Sequence, residues 1–172
     1  DTLPAGAEAG SDGGDSWNWV TSPSPQSGSL AHQSAGVPGP HQHYFANATA
    51  TLEIGTGDVL YVWAYLDTIN PPSEVMVQWN DGTSWDHRAY WGANYLGYGQ
   101  DGTPGRYHMG PLPATGEWVQ LKVPASLVGL EGKTVNGMAF TTYGGRVTWD
   151  TPGRVNQAQT VTVSATAGRA SR

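Results

Sequence analysis

The longest strict alternation in the chain runs over residues 59–66, where Leu60, Val62, Ala64 and Leu66 share one parity and Tyr61, Trp63 and Tyr65 the other. A period of two predicts a β-strand with successive side chains on opposite faces. Apolar character on both parities predicts a central strand, or one with a face open to a ligand. The same period recurs over residues 17–20, 30–34, 41–45, 50–54, 75–79, 85–91, 118–123, 134–143 and 146–150. Turn formers separate these runs, so the pattern predicts an all-β domain of short strands. One helical turn, within residues 124–132, is the only helix predicted.

Three stretches depart from this period. Residues 1–16 are glycine-rich and aperiodic, and read as an irregular N-terminal segment ahead of a domain over 17–153. Residues 92–116 are punctuated by Gly92, Gly97, Gly99, Gly102, Gly105, Gly110 and Gly116. They predict a long loop, the kind of segment that usually carries function or flexibility. Residues 154–172 contain no aromatic residue. Within them, residues 159–164 suit an extra edge strand, and a linker toward a following domain suits the composition equally.

Composition narrows the partners. Charged residues make up 13% of the chain, against about 25% in typical domains, while Gly 24, Pro 12, Trp 8 and Tyr 8 fill the deficit. The net charge of -6 argues against nucleic acid and anionic membrane surfaces, both of which require basic patches. With Cys 0 no disulfide framework exists, so core burial or a bound ion must stabilise the fold. No apolar run approaches the roughly 18 residues that span a bilayer, and the first residues lack the basic-then-apolar form of a signal peptide. The chain therefore reads as a mature secreted protein or as a module of a longer one.

The closing strands carry a resemblance. Trp118-Val119-Gln120-Leu121-Lys122-Val123-Pro124, then Val128-Gly129-Leu130-Glu131-Gly132, Val135 to Phe140, and Gly144 to Asp150 resemble the last strands of galactose-binding-like jelly rolls. Non-catalytic carbohydrate-binding modules of secreted bacterial proteins commonly have this form. The resemblance implies an antiparallel β-sandwich, an extracellular or cell-surface location and a polysaccharide or glycan as partner. It also implies a structural Ca²⁺ where first and last strands meet, with Asp150 at the matching position and Asp12 and Asp15 as further candidates. A solvated turn is the other reading of Asp12-Gly13-Gly14-Asp15.

The candidate ligand site is the hairpin of residues 74–92, which concentrates aromatic and polar side chains around Asn80-Asp81-Gly82, a turn signal. Sugars stack their C–H faces on aromatic rings and bond through planar polar groups. Alternation puts Trp85, His87, Ala89 and Trp91 on one face, with the composition of a core, and Asp86, Arg88 and Tyr90 on the other. Arg88 and Tyr90 are the leading candidates, joined by Asp86, Gln78 and Asn80, with Trp63 and Tyr61 extending the platform.

His41 and His43 share a face at a spacing seen in zinc sites, yet no third ligand stands at a recognisable interval; histidines buried against the sheet fit better. For catalysis, Glu74, Asp81, Asp86 and Asp101 are the available carboxylates, but no pair stands out and no nucleophile motif is present. The expectation is a non-catalytic extracellular module for a neutral poly- or oligosaccharide. A structural or adhesive module that self-associates through residues 154–172, and a polysaccharide-degrading enzyme, are the alternatives.

Overall fold

A computed structural model describes residues 1–156. The chain forms β1 (Glu8–Asp12), β2 (Asn18–Val20), β3 (Ala31–Gln33), β4 (Pro40–Ala46), β5 (Leu52–Glu53), β6 (Asp58–Leu66) and β7 (Glu74–Asn80). It continues with β8 (Arg88–Gly92), β9 (Tyr107–Gly110), β10 (Trp118–Pro124), a 3₁₀ turn (Ala125–Val128), β11 (Thr134–Val135), β12 (Gly137–Tyr143) and β13 (Val147–Asn156). The all-β sandwich and, among the described residues, its single short helical turn are as the sequence predicts.

Two sheets make the layers. One has the order β1-β4-β12-β7-β8-β9, the other β10-β6-β13-β3-β2, and a small ribbon pairs β11 with β5. Early strands lie beside late ones, so β12 sits between β4 and β7, and β13 between β6 and β3. All pairs are antiparallel except β8 with β9, which run parallel.

The core forms where the inward parities meet. Leu60, Val62, Ala64 and Leu66 of β6 pack with Val75, Val77 and Trp79 of β7, Ala89 and Trp91 of β8, Phe140 of β12 and Trp149 of β13. Each fully buried aliphatic or aromatic side chain of this kind stabilises the fold by about 1.5–3 kcal/mol. This burial holds the two sheets together without disulfides.

The structure departs from the sequence reading in three places. Residues 8–12, expected to be irregular, form β1 on the edge of the six-stranded sheet, paired with β4. The strand has no apolar alternation because both its faces are largely solvent-exposed. Its glycine has a specific reason: a Cβ at Gly10 would come within 2.4 Å of the Tyr44 ring, its cross-strand partner. Residues 107–110 interrupt the expected long loop as β9. The last strand reaches Asn156 instead of stopping near Asp150, with a bulge between Asp150 and Gly153. The extra strand expected at residues 159–164 lies outside the described residues.

Candidate functional site

The outward face of the six-stranded sheet carries the parity opposite to the core. Register places Asp12 of β1 beside Gln42 of β4, Gln42 beside Thr141 of β12, and Thr141 beside Met76 of β7. One pair along, Tyr44 lies beside Ala139, Ala139 beside Gln78, and Gln78 beside Arg88 of β8. Of these, Asp12, Gln42, Tyr44, Ala139, Gln78 and Arg88 line a cleft of about 270 Å³, together with Trp85 and Tyr98.

The floor is a hydrogen-bonded strip crossing five strands in one direction. Arg88 Nε donates to Gln78 Oε1 at 2.6 Å, and Gln78 Nε2 donates to Gln42 Oε1 and Thr141 Oγ1, each at 2.8 Å. Thr141 Oγ1 also donates to Gln42 Oε1 at 2.8 Å, and Gln42 Nε2 donates to Asp12 Oδ2 at 2.9 Å. Every donor points from the guanidinium toward the carboxylate, so the strip has a positive and a negative end. Such chained bonds polarise and orient one another.

Arg88 is buried, and its charge is matched locally. Its Nη1 donates to Asp86 Oδ1 at 2.8 Å and to the Gly105 carbonyl at 3.0 Å. Nη2 makes no hydrogen bond among the described residues. Gly99 is required where the loop crosses this guanidinium. It has φ +70°, and a Cβ there would meet the Gly105 carbonyl at 2.3 Å and Arg88 Nη1 at 2.7 Å.

Aromatic rings form the walls. Tyr44 and Trp85 meet edge to face at 6.2 Å between centroids, and the Tyr98 ring lies 6.0 Å from Arg88 Cζ. Burial, followed by the Asp12 charge, pushes the Tyr98 phenol above its ordinary value, so its hydroxyl keeps its proton.

The sequence-predicted residues are distributed unevenly. Gln78 and Arg88 line the cleft, and Asp86, 72% exposed at its side chain, braces Arg88 from outside. Tyr90 has the right parity but lies beneath residues 93–106, only 2% exposed, with its Oη donating to Asp101 at 2.9 Å. Burial and the Asp101 carboxylate push its phenol up to about 12. Asn80 closes β7, with its Oδ1 accepting the Gly82 N–H, and is not part of the cleft lining. Tyr61 and Trp63 stand on β6, in the other sheet, opposite Lys122 and Gln120 of β10, and do not extend the platform.

Trp85, assigned to the core by alternation, faces the cleft instead. β8 begins only at Arg88, so strand parity does not reach back to residue 85. His87 is buried as expected, with Nδ1 donating to the Val128 carbonyl at 2.7 Å. Sequence reasoning missed Gln42, Tyr44 and Tyr98 as site residues.

The three aspartates named for Ca²⁺ do not converge. Asp12 belongs to the cleft, and Asp150 Oδ2 accepts the Gln26 and Ser27 N–H groups at 2.7 and 3.0 Å. Asp15 is buried and takes His41 Nδ1 at 3.0 Å, His43 Nδ1 at 3.3 Å and the Ala35 N–H at 2.7 Å. Burial alone raises its pKa, but these bonds outweigh burial and hold it well below the usual carboxylate range. His41 and His43 thus share a carboxylate rather than a zinc ion. Among the described residues, no group of three or more His, Cys, Asp or Glu is arranged to hold a metal.

With this geometry in view, comparison with known proteins bears on the fold. No family model and no curated protein sequence matches the chain. Among solved structures, the glycoside hydrolase domain of Endo-D from Streptococcus pneumoniae R6 superposes with a TM-score of 0.51 at 12% identity, covering 87% of this chain and 21% of that one. SGBP-B from a complex xyloglucan utilization locus in Bacteroides uniformis gives a TM-score of 0.50 at 12% identity, covering 90% of this chain and 46% of that one. TmCBM61, solved in complex with β-1,4-galactotriose, gives 0.48 at 10% identity, with 88% of each chain covered. Over the covered parts, the chain shares the fold of the first two. It spans about a fifth of the first structure and under half of the second.

Proposed function

We propose that this β-sandwich is a non-catalytic glycan-binding module of an extracellular protein, and that the cleft on the six-stranded sheet holds a neutral oligo- or polysaccharide. The observation that carries this reading is the strip from Arg88 to Asp12 between aromatic walls. Planar amides and a guanidinium offer paired donors and acceptors to vicinal hydroxyls, while Tyr44, Trp85 and Tyr98 offer ring faces and edges to sugar C–H groups. Arg88 is neutralised by Asp86, and Asp12, whose partner is the neutral Gln42 amide, leaves the cleft one negative charge in excess, which disfavours an anionic sugar.

Catalysis is disfavoured by the same residues. A glycosidase needs two carboxyl groups about 5 to 10 Å apart flanking the bond, and Asp12 is the one carboxylate in the lining. SGBP-B, which shares the fold, comes from a xyloglucan utilization locus, and this makes xyloglucan one of the polysaccharides to test. No helix among the described residues is long and apolar enough to cross a membrane.

A shallow open cleft should bind in the micromolar to millimolar range, or about -4 to -8 kcal/mol. Affinity electrophoresis through gels containing neutral polysaccharides tests the reading. Retardation of the wild type that is lost in Trp85→Ala supports it, and free migration through every polysaccharide, xyloglucan included, overturns it.

A further inference from the structure

The inward parity of β4 holds a polar cluster directly behind the cleft. His41 and His43 point into the sandwich, while Gln42 and Tyr44, one residue along, line the cleft. Asp15 closes the group from the turn after β1, where its N–H donates to the Asp12 carbonyl at 3.2 Å. Asp15 Oδ2 lies 3.0 Å from His41 Nδ1 and 3.3 Å from His43 Nδ1, and His41 Nε2 lies 2.8 Å from Thr142 Oγ1. His43 Nε2 reaches His32 Nδ1 of β3 at 2.7 Å, which joins the six-stranded sheet to the five-stranded one. All four ionisable side chains are buried.

The contact between His32 and His43 has room for one proton. With His43 charged, its Nδ1–H donates to Asp15 and its Nε2–H to His32 Nδ1. With His43 neutral, its Nε2 accepts instead from His32 Nδ1–H. Either arrangement keeps the sheets joined. Once both rings are charged, every ring nitrogen carries a proton, so two N–H groups meet head to head and the bond is lost. Thr142, by contrast, can turn its hydroxyl to suit either form of His41. The Asp15 carboxylate balances one imidazolium, and a second leaves an unpaired charge in the interior, which is strongly unfavourable.

The carboxylates across the adjoining cavity are already engaged. Asp1 accepts from the Ser29 and Leu30 N–H groups, and Asp150 from those of Gln26 and Ser27. Trp17, Trp19 and Phe140, which enclose His32, bring no charge. Burial foremost, then His43 and the Asp1 amino group, hold the His32 imidazole well below its ordinary value, against the pull of Asp15.

We propose that the contact between His32 and His43 is a proton-controlled latch, and that acidification opens the β1–β4 side of the sandwich and loosens the cleft floor. The open form binds more protons than the latched one. The latch is therefore complete above the ordinary histidine value of about 6.5 and is lost as pH falls below it. Two routes carry the change to the cleft. β4 presents Gln42 and Tyr44 on its other face, and the turn from Asp15 leads back to Asp12. The consequence for affinity, weaker retention of a glycan in acid, rests on the binding reading above.

Amide hydrogen exchange at about pH 7 and about pH 5, expressed as protection relative to the unfolded chain, tests the latch without a ligand. Each unmatched proton shifts the equilibrium about tenfold per pH unit. Residues 40–46 of β4 should therefore lose at least about tenfold in protection, while Val75 and Val77 of β7 keep theirs. His32→Asn places an amide where Nδ1 stands and cannot take a charge, so its β4 should stay protected in acid. Affinity for a retarding polysaccharide should fall with protection in the wild type and stay level in the variant. Unchanged β4 protection in acid, an equal loss in β7, or an equal loss in His32→Asn overturns the latch. If the variant does not fold, the wild-type contrast of β4 with β7 decides alone. Protection that falls while affinity holds constant overturns the link to the cleft. A chain that binds no polysaccharide at either pH overturns the binding reading instead, and the exchange data still decide the latch.

Discussion

One face of one sheet holds two unlike regions. Toward β1 and β4 it is an open cleft floored by Asp12, Gln42, Gln78 and Arg88. A few residues along the same strands, Met76 and Tyr90 lie under residues 93–106, packed with Leu96 and flanked by Tyr98 and Tyr143. The strands alternate identically in both regions, so strand geometry does not separate binding surface from core. The covering loop does. It is pinned by Glu74 Oε2, which accepts the Tyr95 and Leu96 N–H groups at 2.6 and 2.8 Å, and by Arg106 Nη1, which donates to the Leu96 carbonyl at 2.6 Å. Tyr98 belongs to both regions, as cover for one and wall for the other.

If the loop makes this division, its anchor should matter most. Leu96→Ala removes a side chain only 1% exposed, and is expected to cost about 2–3 kcal/mol, the lower part of the range for buried leucine. Urea unfolding would measure it. Because Tyr98 rides on the same loop, glycan affinity should fall together with stability. Intact affinity in a destabilised protein would show that the cleft does not depend on its cover.

Arg88→Ala acts on the open side. It leaves Gln78 Oε1 and the Gly105 carbonyl without their donor, so a loss of about 2 kcal/mol is expected together with more than a tenfold loss of affinity. Arg88→Lys retains the charge but not the fork that serves Gln78, Asp86 and Gly105 at once. It should recover part of the stability and little of the binding.

What is legible in the sequence follows from the same contrast. Period-two alternation is local, so it assigns Leu60 to Leu66, Val75, Val77, Ala89 and Trp91 to the interior, and Gln78 and Arg88 to the outward face. The parity of Gln42 and Tyr44, opposite His41, His43 and Phe45, is equally visible and points to the cleft. Alternation carries no information about which sheet a strand joins, so Tyr61 and Trp63 group by composition with a hairpin in the other layer. Nor does it show what a loop covers, which is why Tyr90 reads as a surface residue. Asp12 draws notice only for its carboxylate, because β1 has no buried face to leave a pattern.

Trp85→Ala is the reciprocal of the loop variant. The half-buried ring lines the cleft and touches Tyr44 edge to face, so its loss should cost less than about 1 kcal/mol of stability. Affinity should drop about tenfold, or about 1.4 kcal/mol, in calorimetric titration with the polysaccharide that retards the wild type. A large loss of stability with unchanged affinity would return Trp85 to the core.

The smallest effect concerns Glu74, the carboxylate that anchors the covering loop. Its carboxyl is fully buried, with Oε1 lacking any hydrogen-bond partner among the described residues. Burial pushes its pKa upward, outweighing the two loop N–H groups that pull it down. The folded protein therefore holds this proton more tightly than the unfolded chain. Its stabilising contribution is complete below the unfolded value of about 4.3 and is lost as pH rises through the folded value. Asp15, Asp67 and Asp81 are shifted downward and contribute in the opposite sense, losing stability as pH falls. Glu74→Gln keeps an oxygen for Tyr95 and Leu96 but cannot ionise, and it leaves those aspartates unchanged. The difference in urea midpoint between variant and wild type isolates Glu74. It should move in favour of the variant as the pH is raised from about 4 to about 7, by less than about 1 kcal/mol. Parallel curves would mean that the loop anchor carries no charge penalty, and that the covered region is held by Leu96 and its aromatic neighbours alone.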